Sequence, residues 1–193
     1  MSVYDLICKR RTVRRFAQKP ITLEALKQFV NAGRLAPSAS NLQPLEFMVL
    51  EQTRAVQYVF ERTRWAGYLP PDQGKPSADQ APVAFILILV NKKIRAEGYG
   101  ADVGAAAENM ILAALEQGVA ACWIGSIIDR ADIKAELAIP EHCDLDSLLA
   151  LGYPAEDPVA EPLDGSVKYY RDEQGRLHVP KRTLASVLHI NGY

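Results

Sequence analysis

VAFILILV, at residues 83–90, is a run of eight consecutive apolar residues in a chain of 193. Apolar and polar residues do not alternate in this run, as they would in a strand with one face in water. Both faces of the predicted strand must therefore be covered by other parts of the chain. We expect residues 83–90 to form a central, fully buried strand.

The hydrophobic periodicity on either side predicts helices and strands that interleave without a regular βαβ order. Helices are expected at 2–9 with Ser2 as N-cap, at 22–33 with Thr22 as N-cap, and at about 53–64, 101–117 and 183–189. A further helix is expected to end at about Leu137, with Asp129 or Asp132 as its N-cap. Further short strands are expected at 47–50, 120–124 and 148–151, and a hairpin at 167–179 turns at 172–175. This order favours a three-layer α+β fold over a doubly wound one. We find no repeat or linker, so a single domain over residues 1–193 is expected, with 165–180 as a hairpin excursion.

Composition excludes several classes of protein. The net charge is −1, and only one basic cluster is present, which argues against nucleic-acid binding. The three cysteines are scattered without a CxxC pair, as is typical of a reducing compartment. The first residues lack the pattern of a signal peptide, and the apolar run ending at Val90 is too short to span a membrane. A cytoplasmic protein without membrane or nucleic-acid partners is expected.

Two polar segments have the chemistry to hold a ligand. At 10–14, neighbouring guanidinium groups and a hydroxyl match the oxygens of a phosphate, although such a cluster is also typical of a solvated helix end. At 37–44, two prolines frame side chains that could bind a polar heterocycle or a polyol, although an ordinary loop has the same composition. Other motifs are missing: there is no Walker loop, no GxSxG, and no metal-ligand spacing among the histidines and cysteines. No metal site is predicted.

Five stretches in a fixed order carry a family resemblance. They are RRTVRRF at 10–16, APSASNLQP at 36–44, DQAP at 79–82, GVAACWIG at 118–125 and LGYP at 151–154. Together they resemble the nitroreductase family of FMN enzymes, whose pattern begins RRSxRxF and continues APSxxNxQPW. Leu45 stands where that pattern has tryptophan.

The resemblance implies an intertwined α+β homodimer with FMN at the subunit interface. By motif, Arg10, Arg11 and Thr12 would hold the phosphate and ribityl end, and Arg14 would lie near the pyrimidine edge. The partner subunit's loop would contribute Pro37, Ser38, Ser40, Asn41 and Gln43. The backbone of Ile124, Gly125 and Ser126 would face flavin N5 and O4, and Lys181 and Arg182 would add contacts to the phosphate. Lys75 is a further candidate for the N1/O2 edge, where reduced flavin carries negative charge.

The activity implied by the resemblance is transfer of electrons from NADH or NADPH to nitroaromatics, quinones or similar acceptors in a ping-pong reaction. The flavin ring performs the chemistry, so no catalytic protein side chain is expected. Two alternatives stay open: a relative specialised for dehalogenation or flavin breakdown, and a flavin-binding module without turnover. Such specialised relatives usually carry a lid, and the segment 66–78 could close over the site.

Overall fold

The computed structural model describes residues 2–193. Its helices are α1 Val3–Lys9, α2 Leu23–Arg34, α3 Thr53–Glu61, α4 Pro71–Gly74, α5 Gly100–Glu116 and α6 Arg130–Glu136. The main sheet contains β1 Phe16–Ala17, β2 Leu45–Leu50, β3 Ala84–Asn91, β4 Ala120–Ile124 and β5 Cys143–Pro154. The strand order is β1-β5-β3-β2, with β4 also paired to β5, and every pairing in this sheet is antiparallel.

Strand β3 divides the core into two halves, as its unbroken apolar sequence predicts. Phe85, Leu87 and Leu89 face one half, which α3 and α6 cover, and Ile86 and Ile88 face the other, which α2 and α5 cover. Each of these side chains is at most 4% exposed. Burying such a side chain stabilises the fold by about 1.5–3 kcal/mol. The predicted three-layer α+β fold is confirmed.

Capping residues set the starts of the predicted helices. Ser2 and Asp5 form a capping box at α1, Thr22 accepts from the Ala25 N–H at α2, and Asp129 caps α6. The predicted helix at 183–189 is wrong: only a single 3-10 turn forms, at Leu184–Ser186. Its apolar residues are exposed rather than packed, so nothing in the described chain stabilises further helical turns.

Strand β5 is much longer than the predicted 148–151. It pairs with β3 along one edge and with β4 and β1 elsewhere, so both of its edges are used. Asp144 and Asp146 interrupt the apolar pattern of β5, so its first half was not predicted from the sequence. The register shifts between the partners of Ile88 and Leu89, which leaves Asp146 outside the ladder as a bulge.

A second sheet is built around the predicted hairpin. Strands β7 Tyr170–Arg171 and β8 Leu177–Lys181 pair antiparallel, which confirms the hairpin, and the turn is closed by Asp172, which accepts from two backbone N–H groups. Strand β6, Val159–Pro162, pairs parallel to β8 and was not predicted from the sequence. Because β6 and β8 are 14 residues apart, no local turn signal marks their pairing.

None of the helices formed by residues 2–193 is both long and apolar enough to cross a bilayer.

Two carboxylates hold His178 in the second sheet. Its Nδ1 lies 2.8 Å from Glu161 Oε2 and its Nε2 lies 3.0 Å from Asp172 Oδ2. The ring stacks on Tyr170 at a centroid distance of 5.0 Å. The hydrogen bonds to Glu161 and then to Asp172 raise the pKa of His178, because they favour the protonated ring.

We expect this cluster to make stability depend on pH. A histidine whose pKa is raised in the folded state contributes to the free energy of unfolding. This contribution is complete at pH values below the pKa of the unfolded state, about 6.5, and is lost as the pH rises through the pKa of the folded state. His178→Gln should therefore lower the free energy of unfolding most at pH 5.5–6 and progressively less toward pH 8. Urea unfolding across this range measures the difference, with His189→Gln as control. A constant difference would show that His178 keeps one charge state throughout.

Candidate functional site

The main cavity has a volume of about 770 Å³. It lies where β4 ends, and its walls come from four parts of the chain: the segment before β1, the end of β4 with the following loop, the segment 63–75, and the hairpin. The lining residues are Arg14, Thr63, Arg64, Trp65, Ala66, Gly67, Leu69, Pro71, Lys75, Cys122, Trp123, Ile124, Gly125, Ser126, Ile128 and Tyr169. Residues from the segment 66–78, which could close over the site, form one of these walls.

The cavity is cationic. Arg14, Arg64 and Lys75 line it, and no aspartate or glutamate does. Within residues 2–193, none of these three side chains is part of an ion pair. Burial of the ammonium lowers the pKa of Lys75, an effect that Glu61 partly offsets. Such a cavity attracts anions and stabilises negative charge on a bound ring.

Aromatic rings hold two of the three cations. The Arg14 guanidinium lies 4.8 Å from the centre of the Tyr169 ring, and Lys75 Nζ lies 4.4 Å from the centre of the Phe60 ring. Tyr169 belongs to the hairpin at 165–180, and it also contacts Tyr68 at a centroid distance of 5.1 Å. The hairpin and the segment 66–78 therefore meet over the same cavity.

The loop after β4 presents its backbone to the cavity in a fixed orientation. Arg130 Nη2 donates to the Gly125 carbonyl at 2.7 Å, and the Arg64 N–H donates to the Ser126 carbonyl at 2.9 Å. In a trans peptide the C=O and the following N–H point in opposite directions. The Ser126 N–H therefore points away from Arg130, on a residue that lines the cavity.

Cys122 lies in the cavity wall but is unsuited to act as a nucleophile. Its side chain is buried, and burial raises the pKa of Cys122 to about 11. The thiol is therefore protonated at neutral pH, when a nucleophilic cysteine would need to be a thiolate. The neighbouring Trp123 is 44% exposed and is oriented by a 2.8 Å hydrogen bond from its indole N–H to Ser147 Oγ.

Arg10 and Arg11 lie in a second, smaller cavity of about 110 Å³. Arg10 Nε pairs with Glu108 at 3.2 Å, which leaves the terminal nitrogens of this guanidinium available for an anion. Burial and then the charge of Arg10 lower the pKa of Arg11. The Val13 N–H donates to the Ala121 carbonyl at 3.1 Å, which fixes the segment 10–14 beside β4. Thr12 is partly buried in the same segment and lines neither cavity.

A buried ion pair connects the segment 10–15 to the hairpin. Glu156 accepts from the Arg14 N–H at 2.6 Å and from the Arg15 N–H at 3.3 Å. Its other oxygen pairs with Arg171 at 2.7 Å, and the side chains of Glu156 and Arg171 are only 7% and 4% exposed. Glu156 therefore positions the backbone that carries Arg14 at the main cavity.

The loop 37–44 lies at a third cavity of about 160 Å³, which Pro37, Ser38 and Gln43 line in part. Ser40, Asn41 and Gln43 all have φ between 51° and 55°, a conformation that costs a non-glycine residue about 1–3 kcal/mol. Such backbone strain persists only where surrounding contacts hold the loop in that conformation. The third cavity shares no residue with the main cavity.

Two anchors hold this loop in its strained form. Ser38 Oγ accepts from the Gln43 N–H at 3.0 Å, and the Ala39 N–H donates to Asp102 at 3.1 Å. Asp102 is 4% exposed and pairs with Arg95 at 3.2 Å, so its carboxylate is fixed in turn. The side chains of Ser40 and Asn41 remain exposed.

The structure therefore separates the predicted site residues within one chain. Arg14, Lys75, Ile124, Gly125 and Ser126 all line the main cavity. Lys181 and Arg182 lie at the exposed end of β8 and line neither the first nor the second cavity. Arg64, Trp65 and Tyr169 lie outside the five motifs and were not predicted from the sequence, and Trp123 lies within the motif at 118–125 but was given no role there. In the sequence, only the closeness of Arg64, Trp65 and Tyr169 to the segment 66–78 or to the hairpin could have indicated that they line the cavity.

A three-layer α+β fold with a cationic, aromatic-lined cavity at the end of β4 defines the class of protein. The model of the nitroreductase family matches residues 7–153, and the chain therefore belongs to the nitroreductase family. This confirms the resemblance carried by the five motifs.

Individual relatives agree with this assignment. A protein of Methanothermobacter thermautotrophicus, provisionally named NADH dehydrogenase/NAD(P)H nitroreductase, is 28% identical over 162 residues, which is 82% of this chain and 80% of that protein. The iodotyrosine deiodinase of Thermotoga neapolitana is 28% identical over 176 residues, or 81% of this chain and 90% of that protein. A solved nitroreductase from Desulfovibrio desulfuricans, described as a complex with FMN, has a TM-score of 0.72 at 25% identity, covering 100% of this chain and 98% of that one.

Proposed function

We propose that this protein is an FMN-dependent oxidoreductase that transfers electrons from NADH or NADPH to small electron-poor aromatic acceptors. The observation that supports this most is the main cavity, which is large enough for a planar ring, has three unpaired cations, and has no acidic residue in its lining. The FMN-containing relative and the names of the NAD(P)H-linked relatives favour the same activity.

The residues present fit FMN. An isoalloxazine ring needs apolar walls, a hydrogen-bond donor near N5 and positive charge near its pyrimidine edge. The main cavity offers Trp123 and Ile124 as apolar surface, the Ser126 N–H as donor, and Arg14 as cation. Arg10, Arg11 and Thr12 lie beside this cavity on the same segment, where they would bind the ribityl chain and the phosphate. Lys181 and Arg182 remain proposed as further contacts to the phosphate.

We further propose that two copies of the chain form the site together. Within one chain, residues Pro37, Ser38, Ser40, Asn41 and Gln43 lie at a different cavity from Arg14. A second copy could place this preorganised loop against the ring. Exposed apolar residues at both ends of the chain offer surface for such an interface: Val3, Tyr4, Ile7, Leu184, Val187, Leu188, Ile190 and Tyr193.

When bound, FMN supplies a ring that takes a hydride from the nicotinamide and passes two electrons to the acceptor. For a nitroaromatic the balanced reaction is R–NO₂ + NAD(P)H + H⁺ → R–NO + NAD(P)⁺ + H₂O. The chain would contribute position and charge: Arg14 would stabilise negative charge at the pyrimidine edge, and Trp65 and Tyr169, which line the cavity, would limit the access of water. A donor and an acceptor that use one cavity in turn produce ping-pong kinetics.

A second candidate is reductive dehalogenation of an aromatic substrate. The relative named iodotyrosine deiodinase favours it, as does the wall at 66–78, which could contact such a substrate. Breakdown of the flavin itself and flavin binding without turnover are the remaining alternatives.

Anaerobic addition of NADH or NADPH to the FMN-loaded protein tests the proposal. We expect the yellow colour to bleach promptly and to return, with conversion of the acceptor, on addition of a nitroaromatic or a quinone. An iodophenol in the same panel tests dehalogenation through release of iodide. Light scattering should give a dimer. If the colour does not bleach, the protein binds flavin without turnover, and a loaded monomer would contradict the shared site.

A further inference from the structure

Arg64 stands apart from the other two cations of the main cavity. Arg14 and Lys75 each lie over an aromatic ring. Within residues 2–193, the Arg64 side chain has no ion pair, no hydrogen bond and no aromatic ring beneath it, although it lines the cavity. A guanidinium with five unused N–H groups at a cavity wall is suited to bind an anionic group.

The backbone of Arg64 is held close to the loop that is proposed to face the flavin ring. Its N–H donates to the Ser126 carbonyl at 2.9 Å, and the Ile128 N–H donates to the Arg62 carbonyl at 2.8 Å. Thr63 and Ile127 form an antiparallel bridge between these two bonds. This short ladder places Arg64 beside Ser126, whose backbone N–H would face the flavin ring in the proposed site.

Aromatic side chains complete a site for a planar molecule. Trp65 follows Arg64 directly and is fixed by a 2.9 Å hydrogen bond from its indole N–H to Thr63 Oγ1. Trp123 and Tyr169 line the same cavity. Trp65 is only 9% exposed and forms part of the wall, whereas the Trp123 and Tyr169 rings can stack on an aromatic molecule while Arg64 binds a charged substituent on it.

We propose that the acceptor is an aromatic anion, such as a benzoate or phenolate derivative, and that Arg64 determines this specificity. This inference depends on the proposed function, because it concerns the acceptor side of the same cavity. Of the three cations, Arg14 is assigned to the flavin and Lys75 is a candidate for the same ring. Arg64 is therefore the one left for the charged group of the acceptor.

Binding to the FMN-loaded, oxidised protein tests the inference without turnover. Benzoate and benzamide have the same ring and differ in charge, and their affinities can be measured by calorimetry or by the change in flavin absorbance. We expect benzoate to bind about tenfold more tightly, and we expect Arg64→Gln to abolish this preference while the affinity for benzamide stays the same. Arg54→Gln, a change on the exposed face of α3, should alter neither affinity. Equal binding of the two ligands to the unaltered protein would overturn the inference.

The two half-reactions distinguish the acceptor from the donor. In Arg64→Gln, kcat/KM should fall about tenfold for 4-nitrobenzoate and stay the same for 4-nitrobenzamide, while reduction of the flavin by NADH and by NADPH keeps its rate. If the reduction step slows instead, Arg64 binds the phosphates of the donor and the inference is wrong. If neither nitro compound is reduced, the proposed function fails, and the benzoate and benzamide affinities still decide whether Arg64 selects an aromatic anion.

Discussion

Replacing Arg10 and Arg11 together by alanine should produce a folded protein that no longer retains FMN. Each guanidinium would make a charge-assisted contact to the phosphate worth about 1.5–3 kcal/mol. Loss of both should raise the Kd for FMN by roughly 10²- to 10⁴-fold. Titration of FMN into the protein, followed by quenching of flavin fluorescence, measures this directly. This is the largest effect on cofactor binding that we expect from two substitutions.

Arg15→Ala provides the matched control. Arg15 belongs to the same basic cluster, but its structural contacts are made by its backbone N–H and carbonyl, which alanine keeps. FMN affinity should stay within a few-fold of the unaltered protein, and far-UV circular dichroism should confirm that both variants fold. If the double variant still binds FMN at full stoichiometry and affinity, the phosphate lies elsewhere, and the exposed Lys181 and Arg182 become its first candidates.

Glu156→Ala should cause the largest loss of stability. It removes three hydrogen bonds at once and leaves Arg171 charged, buried and without its partner. The Arg171 Nε already lacks a hydrogen-bond partner in the described chain, so little solvation is available to compensate. Breaking a buried ion pair in this way typically costs about 3–5 kcal/mol. Urea unfolding at one fixed protein concentration measures the change, because association of subunits also affects stability.

The neighbouring Asp157 supplies the control for this measurement. Asp157 pairs with Arg176, but their side chains are 90% and 49% exposed. Exposed pairs of this kind contribute about 0–1 kcal/mol, so Asp157→Ala should have a small effect. Because Glu156 also positions the backbone of Arg14, Glu156→Ala should weaken FMN binding even where the variant is folded. Equal destabilisation by the two substitutions would show that Glu156 is not held in a buried pair.

Local signals were sufficient for most of the secondary structure. The caps Ser2, Thr22 and Asp129 act within four residues of the helices that they begin, so they can be recognised from the sequence. The unbroken apolar run of β3 predicted its burial on both faces. The strand predictions were incomplete where the pairing partner is distant in sequence. Strand β1 has only two residues, and the first half of β5 contains Asp144, which pairs with Val90, and Asp146, which lies at the bulge.

Only those residues of the candidate site that lie within a family motif could be predicted from the sequence. The stretches at 10–16, 36–44 and 118–125 predicted which residues would contact a flavin. They carried no information on Arg64, Trp65 or Tyr169, which reach the main cavity only because a bridge at Thr63 and the hairpin bring them there. The role of Glu156 was equally hidden, since its partners Arg14 and Arg171 are 142 and 15 residues away in sequence.

The amino-acid sequence alone determined the buried strand, the capped helices and the family to which the chain belongs, because each depends on residues that are close in sequence or on motifs in a fixed order. Tertiary structure decided which cations remain unpaired and which carbonyls and carboxylates orient them. Charge and hydrogen bonding act between atoms a few ångströms apart in space. Residues far apart in the chain become such neighbours only after the strands have paired, so the cationic cavity and its buried anchor at Glu156 could be found only in the folded chain.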